Sequence, residues 1–161
     1  MSLDELRTSW EKSNILPEEM KQKHISNLEK AEKSGIKVIK ERVHVDVMNT
    51  LIQKIKGSEE YEFIEPVHDI VLQLLDAKKD VRLVSSLPAD IVKDILKKIA
   101  PETPISELQV IDRPALFEET SFGSNGHYEL LIDDSEEKLV SVHATHLYPR
   151  DIVELANNRP S

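Results

Sequence analysis

Cysteine is absent from the 161 residues, and with it go disulfides, thiolate zinc sites and cysteine nucleophiles. The chain is thereby compatible with a reducing cytosol. Glycine is scarce, with four residues at positions 35, 57, 123 and 126. None of them forms the Gly-x-Gly-x-x-Gly or Walker pattern that cradles phosphates with backbone amides, which argues against a P-loop or dinucleotide-binding enzyme. Aromatic residues make up only 4% of the chain, which leaves few stacking platforms for single-stranded nucleic acid. No run approaches the roughly 18 apolar residues of a membrane span. The start, Met1 to Glu5, lacks the basic-then-apolar order of a signal peptide. The expectation is a soluble, cytoplasmic protein without a membrane partner.

Positive charge is also short overall. A formal net charge of −9 argues against general nucleic-acid binding, because phosphate contacts need a positive surface. The cations are unevenly spread, however. Between Lys21 and Gly57 there are nine Lys or Arg against four carboxylates, a local +5. This basic segment, 21–56, reads first as a solvated helix face. It is also the one stretch where an anionic partner, nucleic acid included, would find a matching surface.

What the chain does have is an alternation of strand and helix patterns. The length suits one domain plus an appendage. Residues 3–13 and 17–34 read as two helices, the second opened by Pro17, Glu18 and Glu19 and stopped by Gly35. Apolar residues in the second are sparse (Met20, Ile25, Leu28, Ala31), so it buries one narrow stripe and is expected to lie against the domain. Residues 1–35 are therefore taken as an N-terminal helical appendage and 36–161 as an α/β domain. Trp10, the single tryptophan, is expected to anchor the first helix.

From 36 onward the pattern predicts strands near 42–47, 81–86, 108–111, 128–133 and 144–148. Helices are predicted over 65–78, 88–99 and 149–157. That order specifies a parallel sheet with helices on both faces, a three-layer Rossmann-like arrangement. The run Val43 to Leu51 is apolar and β-branched, with one carboxylate, Asp46, at its far end. Parallel sheets carry their chemistry just beyond the carboxyl ends of their strands, where Asp46 falls. Ser85 ends the second strand and Asp133-Asp134 the fourth. A hydroxyl and three carboxylates at one sheet edge suit Mg²⁺ and a phosphate, since a hard cation takes carboxylate oxygens.

This set, Asp46 with Thr50, then Ser85, then Leu130-Leu131-Ile132-Asp133-Asp134-Ser135, resembles the haloacid dehalogenase-like superfamily over roughly residues 40–157. The resemblance implies a capless domain with the first strand central, flanked by the 81–86 strand on one side and the 128–133 strand on the other. It implies that Asp46 is the nucleophile that forms an aspartyl-phosphate, that Thr50 and Ser85 bind phosphate, and that Asp46, Asp133 and Asp134 hold Mg²⁺. The family's basic residue has a single counterpart between the third strand and Asp133, namely Arg113, followed by Pro114.

The first motif departs from the family pattern. Its second aspartate, which protonates the leaving oxygen, is here Met48, and a thioether cannot transfer a proton. General acid–base help is commonly worth about 10²–10⁴-fold. Dehalogenases in the superfamily also lack that aspartate, but they resemble proteins with a sizeable cap. Only about 15 residues separate Leu51 from the helix at 65, and the segment 112–127 is also short.

The expected function is therefore that of a pseudophosphatase, a non-catalytic binding or regulatory protein. Its partner would be a protein, met through the N-terminal helices, or a phosphorylated ligand. The alternative is a divergent Mg²⁺-dependent phosphohydrolase acting on a nucleotide or phosphorylated macromolecule. Two histidine features are read as structural. His143 and His146 stand three apart and face opposite sides of a strand, and His44 is expected to be a satisfied buried residue.

Overall fold

The valines that alternate along the central run, Val43, Val45 and Val47, are wholly buried, and so is His44 between them. Burial on both faces is what a middle strand of a parallel sheet requires. Each such valine contributes roughly 1.5–3 kcal/mol through the apolar surface it removes from water. The computed structural model describes residues 2–35, 38–116, 126–135 and 143–158. Lys37, Gly123, Val142 and the 117–125 part of the short segment before the fourth strand lie outside the described residues.

In chain order the elements are α1 (Leu3–Lys12), α2 (Glu18–Lys33), β1 (Val38–Asp46), β2 (Ile52–Lys54), β3 (Tyr61–Phe63), α3 (Glu65–Asp76), β4 (Asp80–Ser85) and α4 (Ala89–Ile99). A 3₁₀ turn (Pro104–Glu107), β5 (Val110–Asp112), β6 (Gly126–Ile132), β7 (His143–Leu147) and α5 (Pro149–Asn157) follow. Five strands form a parallel sheet in the order β5-β4-β1-β6-β7. The first strand is thus central, with β4 on one side and β6 on the other, as expected. Leu83 of β4 joins Val43, Val45, Leu130 and Ile132 in the larger apolar cluster. The alternate residues Val84 and Leu131 pack with Leu116 and Tyr128 in a smaller one. Helices and sheet together make the α/β architecture that the alternation predicts.

The stretch between Leu51 and the helix at 65 is not a bare connection. β2 and β3 pair as an antiparallel hairpin, closed by the Ile55 amide on the Glu60 carbonyl at 2.8 Å and turned at Gly57, whose φ is +79°. That value favours glycine. Strands of three residues carry too little periodicity to be read from sequence. Ile52 and Phe63 are buried and hold the hairpin on the core.

The N-terminal helices are laid against the sheet. Trp10 is buried and donates its indole N–H to Glu129 of β6, as an anchor should. Glu129, fully buried, also accepts Lys79 Nζ at 3.1 Å. Burial pushes the Glu129 carboxyl upward, but His24, Lys79 and Trp10 outweigh it and hold the group below its ordinary value. α2 adds His24 and Asn27, both hydrogen-bonded to Thr145 Oγ1 of β7. In the basic segment, Lys21 pairs with Glu18 at 3.1 Å, Arg42 with Asp80 at 3.1 Å and Lys54 with Glu59 at 3.0 Å. No helix among the described residues is long and apolar enough to cross a membrane.

Replacing Trp10 with alanine removes a buried aromatic and one donor to Glu129, so Trp10→Ala is expected to cost about 3–5 kcal/mol. Urea unfolding followed by circular dichroism measures this. A loss under about 1 kcal/mol would contradict the anchoring role.

Candidate functional site

β1 ends at Asp46 because the chain turns back at once. The Val47 carbonyl accepts the amides of Leu51 and Ile52, each at 3.0 Å, while Asn49 takes a left-handed φ of 61°, a conformation asparagine tolerates better than most residues. Val47, Leu51 and Ile52 are wholly buried, so the turn is fastened by its own apolar side chains. Thr50, also buried, is thereby aimed at the end of the strand. Its hydroxyl lies 3.0 Å from Asp46 Oδ2 and 3.3 Å from Asp134 Oδ1, and it accepts the Asp134 amide at 3.1 Å.

Register brings the next carboxylate alongside. Val45 of β1 is paired with Ile132 of β6, so the residues that follow, Asp46 and Asp133, emerge side by side. Asp133 Oδ1 accepts the Ser135 amide at 3.1 Å in a tight local turn. On the other flank β5 pairs with β4, with Asp112 beside Ser85, and the next residue, Arg113, leaves the sheet at the same edge. Its Nη2 donates to Asp46 Oδ1 at 2.7 Å and to Asp133 Oδ2 at 2.8 Å. One guanidinium nitrogen therefore joins two strand ends.

Two carboxylates flank that cation, and a third, Asp134, lies beside them. Asp46, Asp133 and Asp134 each present an oxygen, and these lie within 4.8 Å of one another. Asp46 is 6% exposed and Asp133 1%. Burial above all, then the charge of Asp133 and the contact with Asp134, push the Asp46 carboxyl up to about 8 against the opposing pull of Arg113. Burial also works against the charge on Arg113, yet the hydrogen bond and charge of Asp133, with Asp46 behind them, raise its pKa further. A site of hard oxygens in which one carboxyl is held back from ionising fits a small divalent cation such as Mg²⁺, which usually keeps several waters and takes a few carboxylates. Asp46, Asp133 and Asp134 could hold it.

Five of the six residues singled out from sequence thus converge: Asp46, Thr50, Arg113, Asp133 and Asp134. Ser85 is the sixth. It is buried at the neighbouring strand end, where its hydroxyl accepts the Leu87 amide at 3.0 Å, and among the described residues it makes no hydrogen bond to the carboxylates. Thr50, expected to bind phosphate, is likewise turned inward and spends its hydroxyl on Asp46 and Asp134. Met48 is half-buried against the core. His44 is buried and hydrogen-bonded to His143, Nδ1 to Nε2 at 2.9 Å. His146 goes elsewhere, with Nε2 at 2.9 Å from the Asp133 carbonyl, so the two histidines of His143-x-x-His146 do separate work.

Sequence reading missed two features. A second group able to hold a metal, Glu65, His68 and Asp69, sits on the first turn of α3 with ligand atoms within 4.8 Å of one another, and the i, i+3, i+4 spacing was the available signal. A cavity of about 670 Å³ opens beside Asp134, walled by Asn49, Gln53 and Phe63 on the hairpin side and by Tyr148, Arg150 and Val153 of α5 and the residue before it. Its walls come from distant parts of the chain, and no local pattern announces it.

The raised Asp46 pKa sets a pH dependence. Between about 4 and about 8 the folded protein binds a proton that the unfolded chain releases, so Asp46 costs stability progressively as pH rises through that window. In EDTA the melting temperature of Asp46→Asn, compared with the native chain, is expected to gain steadily from pH 5 to pH 8. A difference independent of pH would contradict the buried, crowded carboxyl. Comparisons of this chain with family models, with curated proteins and with solved structures found no match.

Proposed function

We propose that this chain is a capless haloacid dehalogenase-like domain that binds Mg²⁺ and a phosphorylated ligand at the carboxylate site without turning the ligand over. The observation that carries the reading is the convergence of Asp46, Asp133, Asp134 and Arg113 at one sheet edge, combined with methionine at position 48. The convergence supports binding, because the carboxylates would hold the cation and the cation would draw a phosphate. Bound there, Mg²⁺ would neutralise phosphate oxygens. The cavity beside Asp134 would receive the rest of the ligand.

The absence of turnover is supported by two things. Met48 has no proton to give a leaving oxygen. Asp46, the residue that would attack phosphorus, has one oxygen engaged by Arg113 and the other by Thr50, and hydrogen bonds and ion pairs of this kind reduce a carboxylate's nucleophilicity. A regulatory role follows for a domain that recognises a phosphate and releases it unchanged. The N-terminal helices offer a surface for a protein partner. The second reading, a divergent phosphohydrolase, is favoured by the presence of the nucleophile itself. An Asp46 still within reach of a phosphate could be phosphorylated by a good leaving group and hydrolyse slowly afterwards.

Two experiments test this. Mg²⁺ at millimolar concentration should raise the melting temperature by mass action, and Asp46→Asn combined with Asp133→Asn should abolish the rise. An unchanged melting temperature for the native chain would contradict the metal site. For chemistry, Met48→Asp restores a proton donor two residues from Asp46. Hydrolysis of a phosphomonoester with a poor leaving group should rise by at least about tenfold, and that of an activated aryl phosphate by less. Native turnover at ordinary enzyme rates of about 1–10³ s⁻¹ would overturn the non-catalytic reading and leave the hydrolase.

A further inference from the structure

The carboxylate pair at the end of β6 is held from behind by β7, and β7 is held in turn by α2. Ladder pairing between the two strands continues one residue past β6, where the Asp133 amide donates to the Leu147 carbonyl at 3.1 Å. The Asp133 carbonyl then leaves the ladder and is taken by a side chain, His146 Nε2, at 2.9 Å. A carbonyl can only accept, so Nε2 carries the proton. Both polar groups of Asp133's main chain are thus fixed by β7, and the side chains of Asp133 and Asp134 inherit that position.

Among the described residues β7 is an edge strand with one ladder neighbour, β6. Edge strands are held less firmly than central ones, so what else touches β7 decides how rigid it is. Residues next to each other on a strand face opposite sides. His146 turns to Asp133, while Thr145, 1% exposed, turns to α2 and is hydrogen-bonded by His24 and by Asn27, the latter at 3.0 Å. His146 also packs its ring on Tyr148 at 4.2 Å between centroids. The same short strand therefore bonds α2 through one residue and the Asp133 main chain through the next.

We infer that His146 is a positioning residue for Asp133 and Asp134, and that α2, by holding β7 through Thr145, sets how tightly the carboxylate site binds Mg²⁺. This rests on the Mg²⁺ reading of that site. It gives α2 a role in the site's affinity through β7, beside the bond that Trp10 of α1 makes to Glu129 of β6. A protein partner that shifted α2 would change the affinity for the cation by the same factor that the cation changes the affinity for the partner.

The test is a Mg²⁺ titration of the full chain followed by amide chemical shifts, with the native protein, His146→Ala, His146→Gln, Thr145→Val and Leu96→Ala. Groups that orient metal ligands from behind are commonly worth about 10–100-fold in metal affinity, and that loss is expected in His146→Ala. His146→Gln keeps an N–H donor and should recover most of it. Thr145→Val keeps the shape but loses the hydroxyl that bonds His24 and Asn27, and should weaken Mg²⁺ by about 2–30-fold. Leu96→Ala opens a cavity under α4, away from β7, and should lower the melting temperature while leaving the affinity unchanged. Native affinity in both His146→Ala and Thr145→Val would overturn the inference and leave the Mg²⁺ site standing. An equal loss in Leu96→Ala would overturn it too, since general destabilisation would then be the cause. A native chain that does not bind Mg²⁺ removes both the site and the inference.

Discussion

One guanidinium nitrogen between two buried carboxylates is the interaction on which the rest of this sheet edge depends. Asp46 and Asp133 are brought together by strand register, with Val43 paired to Leu130 and Val45 to Ile132. Two carboxylates forced so close repel each other. Arg113, reaching across from the end of β5 to both, supplies the opposing charge from within the chain. Asp134 adds a third carboxylate beside them, and the site is left acidic. Burial first, and the neighbouring Asp133 charge second, displace the Asp46 pKa upward. A cation from solution would remove the surplus negative charge.

On the proposed reading, the same edge would bind a ligand without reacting. Catalysis at such a carboxylate requires a free nucleophilic oxygen and a proton donor for the leaving group. Here the first is tied by Arg113 and Thr50 and the second is replaced by Met48. Both departures would remove chemistry while leaving Asp46, Asp133, Asp134 and Arg113 together at the sheet edge. The inferred link to the helices is β7, where His146 bonds the Asp133 carbonyl and Thr145 bonds α2.

The middle of the sheet was legible in the sequence because β1, β4 and β6 are apolar runs separated by amphipathic helices, and Asp46 and Asp133 were legible because they end such runs. Arg113 could be named because it is the single cation between the third strand and Asp133. The direction of Thr50 was not legible. Whether a threonine four residues beyond a strand faces ligand or protein depends on the left-handed turn at Asn49 and on the burial of Leu51 and Ile52, which no period reveals. The hairpin of β2 and β3 was hidden by its three-residue strands. The bonds of Trp10 and Lys79 to Glu129, and of His146 to the Asp133 carbonyl, depend on how distant elements are placed. Each joins residues whose pairing leaves no mark on the local pattern.

The central claim is that Arg113 neutralises a carboxylate cluster built to hold a cation, and the stability of Arg113→Met with and without Mg²⁺ tests it most directly. Breaking a buried pair leaves its partner's charge uncompensated and typically costs about 3–5 kcal/mol, so in EDTA the variant should unfold at markedly lower urea than the native chain. Mg²⁺ should then restore more stability to the variant than it adds to the native protein. A variant as stable as the native chain in EDTA, and indifferent to Mg²⁺, would contradict the account.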